Sequence, residues 1–367
     1  MPMDQGINTK IFDYSDEEPE MRSILIEDQS RLKQSLKGKN LDTIARVKNN
    51  GCSIYYKRIK SINNGLEQKC IGVGDKSIIS LFDKTPFPVK ISDVVCPHFI
   101  ELKWANGCRF NCAWCYLNGT FRFRPNGKAP YLKDPEKIRM HLKAYFENVK
   151  EPSILNSGEL SDSFVFEGSP FSLTKDIIPI FQKQEKHRLL ILTKSSNVKS
   201  LLKIKAQRHV VASFSVNANK VAKRWEKKAP SPSQRIRAAK ELSEAGYTVR
   251  LRIDPMVPIP GWKKEYKELV EYIFEQFKPD RITLGTLRGL QSTLIHSEDT
   301  SWAEYLDDNS NWGKKINLQL RAEMYSFIIY LLRNKYKYND FSICKETIEM
   351  WKILGLGYKN MKCNCVF

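Results

Sequence analysis

The sequence predicts an α/β chain whose middle part is a partial (βα)6 TIM-like barrel, set between an N-terminal extension and a short C-terminal extension that bears cysteines. Three observations predict it. From Phe99 onward, six short apolar runs rich in β-branched residues alternate with longer amphipathic stretches, the pattern of parallel βαβ units. The length of 367 residues accommodates one large barrel or two smaller units. The composition, 41% hydrophobic, 11% aromatic and 28% charged, is that of ordinary globular proteins and excludes collagen-like, low-complexity and wholly disordered chains.

Taken in order, residues 1 to about 40 alternate acidic and basic stretches with little apolar periodicity and read as an arm with one short helix from Ile24 to Lys37. The segments CSIYYKRI, CIGVG and SIISLF, separated by Asn, Gly and Pro, then suggest a small β-rich lead-in that completes a region 1–95. The barrel is expected over 96–290. Its strands are FIELKW, SILNSG, RLLILT, VVASFSVN, TVRLRID and RITLGTL, with helices such as DPEKIRMHLKAYFENV, SPSQRIRAAKELSEAG and KKEYKELVEYIFEQF between them. Residues 291–367 form the C-terminal extension, with a helix from about Ile316 to Asn334, a short strand and a Cys-bearing tail. In such an architecture chemistry gathers at the C-terminal ends of the strands, where the βα loops meet.

Charge sets a second bound. The 60 Lys and Arg against 41 Asp and Glu give a net +19, enough to concentrate a polyanion by electrostatic steering, although a Lys-rich solvated surface would give the same excess. No run approaches the roughly 20 apolar residues of a membrane span, and the polar, acidic N-terminus lacks the order of a signal peptide. These features point to a cytoplasmic protein with reduced cysteines and no membrane partner.

Six of the nine cysteines fall in two groups. CRFNCAWCY, directly after the first barrel strand, places Cys108, Cys112 and Cys115 in a C-x3-C-x2-C spacing on one loop. Three soft thiolates so close select an iron–sulfur cluster or zinc over hard cations, and zinc would call on His98 as a fourth ligand. The spacing, its place after the first strand and the aromatic that follows resemble the radical S-adenosylmethionine superfamily. The resemblance implies that Cys108, Cys112 and Cys115 ligate a [4Fe-4S] cluster whose open iron is chelated by S-adenosyl-L-methionine. Trp114 then packs beside the cluster, and Tyr116 is a candidate catalytic residue.

The following strand ends offer contacts to that cofactor. Ser157, Gly158 and Glu159 end the second strand, similar to the superfamily's Gly-Gly-Glu element, which receives the cofactor's amino group. Lys194 and Ser195 follow the third and suit its carboxylate, although Lys194 also reads as a helix-start residue at the surface. Ser213, Ser215 and Asn217 share one face of the fourth strand. Arg250, Arg252 and Asp254 share one alternation of the fifth, where charged residues need either a polar lumen or an internal salt-bridge network. Arg252 is the one assigned to the cofactor.

The cysteine loop, the Ser-Asp segment after strand two, the Thr-Lys of strand three, the FSVN strand, RIRAAKELSEAGY and a Pro-rich strand end leading to Gly261-Trp262 together resemble the spore photoproduct lyase family. That family reverses a thymine dimer lesion in DNA through a 5′-deoxyadenosyl radical. The resemblance implies DNA or another nucleic acid as substrate and an electron donor such as flavodoxin or ferredoxin. One departure stands out: where the lyase proper carries a hydrogen-donating cysteine before its Thr-Ser-Asp segment, this chain has Glu159, whose O–H bond is too strong for that task. Arg122, Arg124 and Lys128, interleaved with Phe121 and Phe123, form a candidate nucleic-acid patch, with Trp262 as a possible pocket wall. Phe121 and Phe123 could equally fill the groove beneath that insertion.

Cys344, Cys363 and Cys365 are candidate catalytic residues, since one of them could return the hydrogen. They are equally candidate ligands of an auxiliary cluster, with Cys96 as a fourth, or plain buried thiols. Two other functions remain open at this level: radical modification of a peptide or small metabolite, and a zinc-bearing nucleic-acid-binding protein without activity.

Overall fold

The computed structural model describes residues 52–367 apart from 63–64, 83–84, 86 and 207, together with the backbone of two strands at 24–26 and 45–49. One twelve-stranded sheet organises it, and its strands follow one another in space as they do in sequence. They are β1 (Ile24–Ile26), β2 (Ala45–Asn49), β3 (Cys52–Lys60), β4 (Leu66–Val73), β5 (Ile79–Phe82), β6 (Phe99–Leu102), β7 (Ile154–Asn156), β8 (Arg188–Thr193), β9 (Val210–Val216), β10 (Thr248–Met256), β11 (Arg281–Thr286) and β12 (Phe341–Ile343). From β6 to β12 every pairing is parallel; β2 to β6 form an antiparallel meander. All seven residues of β9 are buried, as expected of a parallel strand covered on both faces. The result is the mixed α/β fold with a mostly parallel central sheet that the alternating pattern predicts.

Three features differ from expectation. Ile24–Ile26 lies in a strand, not a helix, because its Ile-Leu-Ile backbone pairs in parallel with Ala45–Val47; the rest of the expected helix lies outside the described residues. The β-rich lead-in is continuous with the central sheet, since β5 pairs antiparallel with β6, with Ile79 opposite Leu102 and Phe82 opposite Phe99. The short strand expected in the C-terminal extension, β12, joins the central sheet as a seventh parallel strand beside β11.

The connecting helices carry the caps their sequences encode. In α1 (Pro135–Asn148), Asp134 accepts from the N–H of Glu136, Pro135 occupies the first turn, and Ile138, Leu142 and Tyr145 face the core. The short α2 (Asn219–Trp225) precedes α3 (Pro232–Glu244), which starts with a reciprocal capping box between Ser231 and Gln234. In α4 (Trp262–Gln276), Trp262 packs edge-on against Phe327 of α5 (Leu318–Tyr330) at 5.5 Å. Among the described residues, no helix is long and apolar enough to cross a membrane.

The C-terminal tail lies across the sheet and is pinned by one side chain. Asn364 is fully buried; its Nδ2 donates to Ser213 Oγ at 2.8 Å and to the Leu251 carbonyl at 2.9 Å, and its Oδ1 accepts from Thr283 Oγ1 at 2.8 Å. These partners belong to β9, β10 and β11. Arg250 and Arg281 hold the tail's backbone, donating to the carbonyls of Asn364 and Cys363 at 3.0 and 2.8 Å. A second anchor is buried Glu346, which is paired with Arg321 at 2.5 Å and Lys315 at 3.2 Å and sits on a short strand antiparallel to Val94–Val95.

Asn364→Ala would leave the Ser213 and Thr283 hydroxyls short of a partner in the interior. The expected cost is about 1–3 kcal/mol, read as a lower urea midpoint with an unchanged slope.

Candidate active site

The loop after β6 carries the three cysteines, and neighbouring segments stitch it in place. Gly107 opens it at φ 88°, where a Cβ would stand 2.5 Å from the carbonyl oxygens of Lys128 and Ala129. Its N–H donates to the Leu160 carbonyl at 2.7 Å, which draws the loop after β7 alongside. Asn111–Cys112 pairs antiparallel with Glu226–Lys227, and the Ala113 N–H donates to the Trp225 carbonyl at 2.8 Å. Trp114 packs against Trp225 with ring centroids 5.7 Å apart, so it supports the loop.

Cys108, Cys112 and Cys115 border one cavity of about 440 Å³. Burial pushes the Cys108 thiol well up and the Cys112 thiol up to about 12, with Lys194 pulling Cys112 the other way. Such thiols are protonated at neutral pH, and a metal centre would have to displace those protons. Three soft donors on one wall fit an iron–sulfur cluster. His98, the fourth ligand a zinc site would use, does not border the cavity; its charge acts on Glu67 instead.

The second wall is the loop after β7. Gly158 is required there, because a Cβ would come 2.5 Å from Leu192 Cβ and 2.7 Å from the Leu192 carbonyl. Its close approach to β8 presents Glu159 to the cavity beside Tyr116, whose phenol burial and the Glu159 carboxylate push well above the ordinary value. Asp162 organises the next strand end, accepting from Thr193 Oγ1 and the Lys194 N–H, each at 2.7 Å. Burial raises its pKa in spite of these bonds. The Lys194 ammonium faces the cavity 3.6 Å from Glu226, which is itself bound to Arg235 at 2.6 Å. Burial works against the Lys194 charge, but Glu226 and Cys112 outweigh it, and its pKa is raised.

Ser215, Arg252 and Asp254 supply the third wall. Arg252 and Arg288 both bind Asp254, at 2.8 and 3.0 Å, and against the penalty of burial they hold its carboxyl well below the usual range. Cys344, Cys363 and Cys365, together with Cys96, border the same cavity.

The structure does not bring every expected residue to this place. Ser157 is turned into the protein, bonded to Ser163 Oγ at 2.9 Å and the Leu190 carbonyl at 2.8 Å. Ser213 is occupied by Asn364 of the tail. Asn217 is sealed between the Pro255 carbonyl and the Tyr266 hydroxyl, at 2.8 and 2.9 Å. Ser195 lies beyond the cavity, where its N–H caps back onto Thr193 Oγ1 and its hydroxyl accepts from Asn197. Trp262 anchors α4 against α5 and does not border this cavity.

The expected nucleic-acid patch follows Leu117 and Thr120, which border the cavity, in the chain. Phe121 is buried, whereas Phe123 is 81% exposed with the Arg122 guanidinium 4.0 Å over its ring. Arg122 also donates to the Gly119 carbonyl at 2.8 Å, and Arg124 to that of Ala129 at 3.1 Å. The ammonium of Lys128 is buried without a hydrogen-bond partner.

Arg288, Glu226 and Asn364 are the site residues that sequence reasoning missed. Arg288 had a signal, a cation two residues past the end of β11. Glu226 had none, because its place opposite Cys112 is made by a two-residue pairing between distant segments.

Residues 98–348 match the family model described as spore photoproduct lyase. The spore photoproduct lyase of Clostridium acetobutylicum is 30% identical over 175 residues, 47% of this chain and 50% of that protein. That of Bacillus subtilis is 28% identical over 174 residues, 46% and 49% of the two chains. The chain thus aligns with about half the length of these curated relatives. A solved spore photoproduct lyase double mutant with bound AdoMet and dinucleoside spore photoproduct superposes with a TM-score of 0.56 at 20% identity, over 67% of this chain and 76% of that one, a likeness of fold. The matched span runs from the strand before the cysteine loop to the segment that carries Glu346, and the chain belongs to the spore photoproduct lyase family.

Proposed function

We propose that this chain is a radical S-adenosylmethionine enzyme that acts on nucleic acid, most directly DNA. The observation that carries this reading is the convergence of Cys108, Cys112 and Cys115 with Glu159 and Lys194 on one cavity of about 440 Å³. Cys108, Cys112 and Cys115 would hold a [4Fe-4S] cluster, and the same cavity would take S-adenosyl-L-methionine. With both bound and a flavodoxin- or ferredoxin-type electron donor, they would supply radical hydrogen-abstraction chemistry.

The chain's own residues do the positioning. Glu159 accepts a charge-assisted hydrogen bond from the cofactor's ammonium, and Lys194, kept charged by Glu226, donates to its carboxylate. Arg252, Asp254 and Arg288 hold a fixed field at the far wall, where their mutual pairing keeps three buried charges tolerable. Arg122 and the exposed ring of Phe123 serve as a stacking and phosphate-binding pair. The net +19 and the dinucleoside spore photoproduct held by solved relatives support a DNA substrate. A cytoplasmic setting, which keeps nine free cysteines reduced, belongs to the same reading. With glutamate at position 159, hydrogen return from that position is closed, so reversal of a thymine dimer would call on another donor, for which the thiols of Cys344, Cys363 and Cys365 border the same cavity.

Reduced, reconstituted protein is expected to cleave S-adenosyl-L-methionine to 5′-deoxyadenosine and methionine, and Cys112→Ala to bring cleavage to background. Undiminished cleavage by the variant would remove the triplet from the chemistry. Glu159→Gln is expected to weaken cofactor binding by about 1.5–3 kcal/mol, roughly 10- to 100-fold, with the iron content unchanged; equal affinities in a titration would refute the ammonium role. Binding to duplex DNA is expected to fall with salt at a slope near −0.9 per phosphate contact, and replacing Arg122, Arg124 and Lys128 together with Ala should flatten it. No binding at low salt would count against nucleic acid.

A further inference from the structure

The cavity that takes the three-cysteine loop on one wall has a second group of thiols on another. Cys96 precedes β6, Cys344 follows β12, and Cys363 and Cys365 flank the pinned Asn364; all four border the cavity. They act on one another electrically: the charges of Cys344 and Cys365 bear on Cys96, and that of Cys363 on Cys365. Arg252 bridges two of them, its Nη2 donating to Cys344 Sγ at 3.3 Å and its Nη1 to Cys365 Sγ at 3.6 Å. All four are free thiols.

Their surroundings match a metal cluster better than a catalytic thiol. Phe82 and Phe99, stacked at 4.7 Å, pack with Cys363 and Cys365, and Trp312 and Met361 close over them. Lys345 places its ammonium beside Cys96, 3.9 Å from the Trp312 ring centroid and bonded to the Thr85 hydroxyl. Four thiolates make an anionic centre, and Arg252 and Lys345 are the cations set against it. A hydrogen donor needs one sulfur; four sulfurs from three separate segments, dried by aromatic rings and met by N–H donors, are what an iron–sulfur centre requires.

We propose that Cys96, Cys344, Cys363 and Cys365 ligate a second iron–sulfur cluster. Assembly releases four thiol protons and makes four iron–sulfur bonds, with no net oxidation of the chain. An iron–sulfur centre is favoured over zinc because the four sulfurs border open space. The inference does not depend on the radical reading of the first site.

Iron and sulfide counts after anaerobic reconstitution test it. The wild-type chain is expected to hold about eight irons, as two [4Fe-4S] clusters, and the Cys108→Ala/Cys112→Ala/Cys115→Ala variant to keep about four with a visible charge-transfer band. Cys344→Ser/Cys363→Ser should lose the other half, and its electron paramagnetic resonance spectrum should show one cluster type where the wild type shows two. A folded triplet variant without iron, or a wild type with about four irons and one zinc, would overturn the second cluster and leave the first untouched. If the triplet variant does not fold, the wild-type stoichiometry and the Cys344→Ser/Cys363→Ser count decide.

Discussion

Ionised side chains inside a parallel sheet cost several kcal/mol each unless another charge or a set of hydrogen bonds meets them, and this chain buries many. Every arrangement at the strand ends answers that constraint. Arg252 and Arg288 share Asp254; Lys194 and Arg235 share Glu226; Lys315 and Arg321 share Glu346. In each case one carboxylate serves two cations. Of these cations Lys194, Arg252 and Arg288 border the cavity, where an anionic group would meet them.

The same pairings fix geometry. Glu226 stands opposite Cys112 in a short antiparallel pairing and also holds Lys194, so the cysteine loop and the third strand end are referred to one carboxylate. Asp162 performs the same service between the loops after β7 and β8. Glu159 stands three residues before Asp162 on the loop so fixed, and borders the cavity.

Much of this was legible in the sequence. The six strands from Phe99 to Thr286 could be read because parallel strands covered on both faces are written as continuous apolar runs, and the cysteine loop because its three thiols lie within eight residues. Gly158, Glu159 and Lys194, singled out by the strand-end rule together with the resemblance, do border the cavity. The rule failed for Ser213, which lies on the expected alternation but meets the tail, and for Asn217, which closes the core under Tyr266. No local pattern announces that Asn364 will reach Ser213, Leu251 and Thr283, residues 151, 113 and 81 positions away. Ile24–Ile26 was misread because a three-residue strand shows no period of its own.

The span of those Asn364 contacts has a kinetic meaning. Closing a long loop carries an entropic cost that must be met before its contacts form, so the tail docks only on a sheet whose β9, β10 and β11 already stand side by side. The Cys108–Cys115 loop is local and can meet iron while the chain is still assembling. The sulfurs of Cys363 and Cys365 share a wall with those of Cys96 and Cys344 only once the tail has docked, so this group of thiols is completed later than the local one.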